Sequence, residues 1–149
     1  MLSIEDNQTL TQVSAGTPMG DLMRHYWQPV CAVDQLLSSP FRTKEVKILG
    51  EELVLFRDRK GNLGVVDKYC THRRASLAYG VVEDDGVRCQ YHGWKFNSDG
   101  KCIEQPFEDT THPQDNFRDK CGIQAYKAQE LAGLVFVYIE PAPTPILPS

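Results

Sequence analysis

The feature that most limits this chain is a pair of short segments, Cys70-Thr71-His72 and Cys89-Gln90-Tyr91-His92, with sixteen residues between them. As a pattern they read C-x-H-x16-C-x2-H. Each segment offers one soft thiolate and one imidazole. That donor set suits a [2Fe-2S] cluster in which the two thiolates go to one iron and the two imidazoles to the other, so that each segment touches both irons. The alternative is a structural zinc site, because two Cys and two His also form a common tetrahedral set. The spacing weighs against zinc. Paired zinc ligands usually have about two to four residues between them, so that both can fold back on one ion. Cys70 and His72 have only Thr71 between them.

The remainder of the chain sets limits of its own. With 149 residues, 41% of them hydrophobic, it can bury one core but not two ordinary ones. A net charge of -4 argues against a nucleic-acid surface, which needs a positive field to collect phosphates. The first ten residues, MLSIEDNQTL, place acids where an export signal needs Lys or Arg, and no long apolar stretch follows. The longest strongly apolar run, 131–139, is about half of what a membrane-spanning helix requires, so no membrane role is expected. Five cysteines (Cys31, Cys70, Cys89, Cys102 and Cys121) in a chain without an export signal fit a reducing cytoplasm and metal binding better than a disulfide framework.

Periodicity predicts a mostly β fold with antiparallel sheets. Thr17-Pro18 followed by Met19-Gly20-Asp21-Leu22-Met23 predicts an N-cap, a proline at the first helical position and one short helix ending near Trp27, while residues 1–16 are polar and weakly patterned. Strands are expected over 30–33, 44–49, 53–56, 63–66, 124–129 and 134–139, with hairpins across Asp58–Asn62 and at Gly133. The region 69–107 is loop-rich and holds the Cys-His segments. Residues 141–149 contain four prolines and read as a tail or linker after a domain spanning 1–140.

The stretch CTHRRASLAYGVVEDDGVRCQYHGWKF, from Cys70 to Phe96, resembles the cluster-binding segment of the Rieske non-haem iron oxygenases. The likeness lies in the four ligand positions, in the Arg and Ala-Ser-Leu after the first His, and in the His-Gly-Trp-x-Phe after the second. Upstream, Gly16-Thr17-Pro18-Met19-Gly20-Asp21-Leu22-Met23-Arg24-His25-Tyr26-Trp27 is similar to the opening of phthalate dioxygenase-like oxygenase subunits. The resemblance implies the Rieske iron-sulfur fold, a cluster held by Cys70, His72, Cys89 and His92, and one-electron transfer as the electron-entry domain of an aromatic-ring-hydroxylating oxygenase. It also implies a flavin or ferredoxin reductase as donor, a mononuclear-iron catalytic domain as acceptor, and a parent enzyme that is a homotrimer or a multiple of one. The exposed ligand His, either His72 or His92, would be the electron exit.

That catalytic iron has no candidate ligands in this chain. Once His72 and His92 are assigned, only His25 and His112 remain, without the Asp-x2-His-x3–4-His grouping the family uses. No oxygenation is therefore expected from these residues alone. A free-standing Rieske ferredoxin is the second reading, and a colourless zinc-stabilised binding module is the third.

High-potential respiratory Rieske proteins place Ser and Tyr hydroxyls at the positions held here by Trp94 and Phe96. Lacking those donors, the cluster is expected in the lower part of the Rieske window. Among the other residues, His25 and His112 read as surface or packing residues, and Cys31, Cys102 and Cys121 as small buried hydrophobes. Glu83-Asp84-Asp85 reads as a turn of solvated carboxylates, with Arg73 or Arg74 a candidate to pair with it, and Trp94 is expected to pack beneath the cluster loop.

Overall fold

Strand β3 (Glu51–Arg57) fixes the layering. Its central residues, Leu53, Val54, Leu55 and Phe56, are all buried, so an unbroken apolar run replaces the alternation of a half-buried strand. Successive side chains still point to opposite faces, and Leu53 and Leu55 enter one core cluster while Val54 and Phe56 enter another. The structure is a computed structural model describing residues 1–114, 116–140 and 143–147.

Around β3 run β1 (Gln28–Ala32), β2 (Thr43–Ile48), β4 (Leu63–Asp67), β9 (Ala125–Leu131) and β10 (Leu134–Tyr138), in the sheet order β1-β10-β9-β4-β3-β2. A second sheet, β5-β6-β7-β8, is built from Val81–Glu83, Gly86–Arg88, Lys95–Phe96 and Cys102–Glu104. Neighbours in both sheets are antiparallel. The first core joins Val54, Phe56 and Val66 to Val82, Val87 and Phe96 of the small sheet, together with Cys70, Cys89 and Trp94. The second, on the opposite face, gathers Leu36, Leu53, Leu55, Val65, Val135 and Val137. Each fully buried side chain of this size contributes roughly 1.5–3 kcal/mol. Phe56 lies over Gly64, its partner across the strands, and a Cβ there would sit 2.3 Å from the ring.

The hairpins form where the turn residues predict. Asp58 caps its own turn by accepting from the backbone and side-chain amides of Asn62, at 2.7 and 2.8 Å. Ala132 and Gly133, at φ 50° and 78°, make the two-residue turn between β9 and β10. Helix α2 (Pro18–Arg24) has the expected Thr17 cap, but it ends at Arg24 rather than near Trp27. Val33, read as the end of a strand, instead opens the short helix α3 (Val33–Leu37).

Two more helices were not apparent from periodicity. Helix α1 (Ile4–Thr11) buries no residue and so has no apolar stripe to detect, although Ser3 accepts from the Asp6 amide as its cap. Helix α4 (Pro106–Thr111) likewise buries none. The proline-rich tail lies partly outside the described residues; residues 143–147 form no helix or strand. Among the described residues no helix is long and apolar enough to cross a membrane.

Candidate metal centre

The two Cys-His segments fold into loops of one backbone design. In the first, Cys70 N–H donates to the Ala75 carbonyl and Arg74 N–H to the Cys70 carbonyl, at 3.0 and 2.9 Å. In the second, Cys89 N–H donates to the Trp94 carbonyl and Gly93 N–H to the Cys89 carbonyl, at 2.8 and 3.0 Å. The fifth residue of each loop is left-handed, Arg74 at φ 59° and Gly93 at 79°. Glycine reaches this conformation freely, whereas arginine does so at a cost; the Arg74 guanidinium stacks over the Tyr69 ring at 4.6 Å.

The loops bring the four predicted residues together as two pairs. Cys70 and Cys89 are buried and share a hydrogen bond between their sulfurs. On the other side, the His72 and His92 rings lie 4.6 Å apart at 63°. The rings are not equivalent: His72 is half-buried and stacked on Trp94, at 4.6 Å and 7°, whereas His92 is exposed beside Tyr91. Trp94 packs under the first loop, as expected, with Phe117 edge-on to it at 6.3 Å. A tie not apparent in the sequence runs from the Thr71 hydroxyl to the Cys121 carbonyl, at 3.0 Å.

The donor chemistry fits a cluster bound by two thiolates and two imidazoles. Backbone N–H groups of His72 and Arg73 point at the Cys70 sulfur, and those of Tyr91 and His92 at the Cys89 sulfur. Such donors favour the charged form of sulfur. The hydrogen bond from Cys70 lowers the Cys89 thiol to about 6 against the opposing effect of burial, while that same bond and then burial push Cys70 up. Nδ1 of His72 is buried without any hydrogen-bond partner, as a ring nitrogen reserved for a metal would be. Among the described residues no three His, Cys, Asp or Glu side chains converge on one point.

The remaining cysteines take no part in this arrangement. Cys102 is buried in the same core, and desolvation, followed by the nearby Cys121 sulfur, pushes its thiol up to about 12. His25 caps α2 and lies 4.0 Å from Glu140, and His112 is exposed at the end of α4.

The acidic turn differs from its expected form. Glu83 and Asp85 are not merely solvated, and their partners are Arg88 and Lys95 rather than Arg73 or Arg74. Lys95, with a side chain only 6% exposed, contacts Glu83, Asp85 and Glu104. Arg88 donates to both oxygens of Glu83 at 2.6 and 2.9 Å, to Glu104 at 2.5 Å and to the Gly93 carbonyl at 2.7 Å. The Arg88 hydrogen bonds hold Glu83 below the usual carboxylate range, and the Lys95 hydrogen bonds do the same for Asp85 and Glu104.

A depressed folded pKa stabilises the fold above the unfolded value, about 4, and that contribution disappears as pH falls through the folded value. The melting-temperature gap between wild type and Glu83→Gln should therefore be full near neutrality and close below about pH 4. Thermal melts across that range measure it.

Comparison with known proteins identifies the family. Residues 26–127 match the family described as the Rieske [2Fe-2S] domain. The chain is 48% identical over 149 residues to the 5,5'-dehydrodivanillate O-demethylase oxygenase subunit of Sphingobium sp. (strain SYK-6), covering all of this chain and 35% of that protein. It is 41% identical over 141 residues to the phthalate 4,5-dioxygenase oxygenase subunit of Pseudomonas putida, covering 95% and 31%. The solved structure of NdmA from Pseudomonas putida CBB5 superposes with a TM-score of 0.72 at 28% identity, over 80% of this chain and 36% of that one. The chain thus spans about a third of the length of these relatives. Because the match runs through both loops and most of the strands that hold them, the chain belongs to the Rieske [2Fe-2S] domain family and carries a cluster of that type.

Proposed function

We propose that the chain is the electron-entry domain of an aromatic-ring-hydroxylating oxygenase, with Cys70 and Cys89 holding one iron and His72 and His92 the other. The convergence of two thiols and two imidazoles from matched loops carries this reading. When bound, the cluster supplies a one-electron couple, in a range of roughly -150 to +300 mV for such centres. The residues around it do the rest. Four backbone N–H groups favour the thiolate form of the two sulfurs. Trp94 covers one face of His72, and the exposed ring of His92 is the edge that a partner can approach.

In this reading residues 1–140 form the electron-transfer unit and residues 141–149 link it to a mononuclear-iron domain that receives the electron. A flavin or ferredoxin reductase would be the donor. Relatives named as oxygenase subunits support this over a free-standing ferredoxin. Reading the encoding gene past Ser149 separates the two, since the oxygenase reading requires a continuing frame with a two-His-one-carboxylate site.

Reductive titration is the direct test. The protein should be red-brown, take up about one electron per chain and develop a Rieske-type EPR signal. Trp94 and Phe96 offer no hydroxyl to cluster sulfur, so the midpoint potential should fall in the lower part of the range. A colourless protein would refute the cluster assignment, and a value near the top of the range would refute the argument from Trp94 and Phe96.

A further inference from the structure

We propose that Arg88 is the positioning residue of the second loop, clamping its far end so that the backbone fixes the direction of His92. The inference rests on the assignment of Cys89 and His92 as ligands.

Arg88 lies immediately before Cys89, yet its side chain turns back to the other end of the loop and donates to the Gly93 carbonyl at 2.7 Å. The same guanidinium grips both oxygens of Glu83 on β5 and one of Glu104 on β8, the two outer strands of the small sheet. Only a planar fork of five donors can make these bonds together. Lys95, just beyond Trp94, contacts the same two carboxylates, so both stems of the loop are tied to one charged group of residues.

The first loop has no such clamp and is oriented by packing. His72 stacks on Trp94, Thr71 bonds to the Cys121 carbonyl, and Arg74 covers Tyr69. His92 is exposed, and its nearest ring, Tyr91 at 3.9 Å, is itself exposed, so no buried side chain stacks on it as Trp94 does on His72. Its direction must come from the backbone. The left-handed Gly93, at φ 79°, is the point where that backbone would most readily rotate, and it is the residue whose carbonyl Arg88 holds. A partly buried ion pair gains little over an apolar replacement once desolvation is counted, although removing one partner alone is destabilising, so the role inferred for Arg88 is geometric.

Three variants of the holoprotein test this, read by iron content, midpoint potential and EPR linewidth after dithionite reduction. Arg88→Gln should retain about two irons per chain while broadening the reduced-state signal and shifting the potential. Arg88→Lys keeps the charge but not the fork, so it should restore the potential more than the linewidth. Glu104→Gln leaves Arg88 bound to Glu83 and Gly93 and should broaden the signal less than Arg88→Gln does.

A fully loaded Arg88→Gln protein with wild-type linewidth would overturn the proposal, as would an Arg88→Lys protein with wild-type linewidth. If Arg88→Gln fails to load, Glu104→Gln decides, and an unchanged linewidth there overturns it. Absence of a Rieske signal from wild type would instead refute the ligand assignment itself.

Discussion

Cys70→Ser and Cys89→Ser will each give a colourless protein, with iron falling from about two atoms per chain to near zero. A serine hydroxyl is a harder donor that stays protonated at neutral pH, so it cannot replace a thiolate that is already favoured by two backbone N–H groups. The damage should be local. Cys70 and Cys89 belong to the core between the two sheets, whereas the core on the far face of β3 contains no loop residue. Hydrogen exchange should therefore rise sharply over 70–75 and 89–94, while the strand signal in far-ultraviolet circular dichroism is largely kept. Full iron and sulfide content in Cys89→Ser would contradict the assignment.

Phe96→Ala should be the most destabilising single truncation near the site. Phe96 is fully buried on β7, paired with Val87 and Cys102, in the core that also contains both ligand-loop cysteines. Removing the ring should cost about 3–5 kcal/mol. At about 2–4 °C per kcal/mol for a domain of this size, the melting temperature should fall by roughly 6–20 °C. Iron loss makes unfolding irreversible, so the comparison requires a single scan rate. Phe107→Ala removes the same ring from an exposed position and should stay within about 0.5 kcal/mol of wild type. Equal losses in the two variants would show that the ring's place in the shared core is not what matters.

The centre itself was legible because its chemistry is local. Cys70 with His72 and Cys89 with His92 are close in sequence, and the single residue between Cys70 and His72 already weighed against one zinc ion. The large sheet was legible where its strands show period two or end in turn residues such as Asp58 and Gly133. The small sheet was not, since strands of two or three residues are too short to show any period. Helix α1 escaped for the opposite reason: it buries nothing, and only its Ser3 cap marked it. The Arg88 and Lys95 contacts join residues from all four strands of the small sheet, a meeting set by sheet topology that no linear pattern records. The Trp94 stack, which distinguishes the two imidazoles, depends in the same way on how the loops meet.

That stack gives the centre a direction. Two loops of the same backbone form would make a terminal open equally on both sides, but the indole insulates one imidazole and leaves the other bare. In the proposed reading, a partner reaches the cluster through the sector around His92, while one arriving from the Trp94 side meets aromatic carbon. On that reading the domain is a plug with one live pin, and the angle of approach selects which encounters can exchange charge.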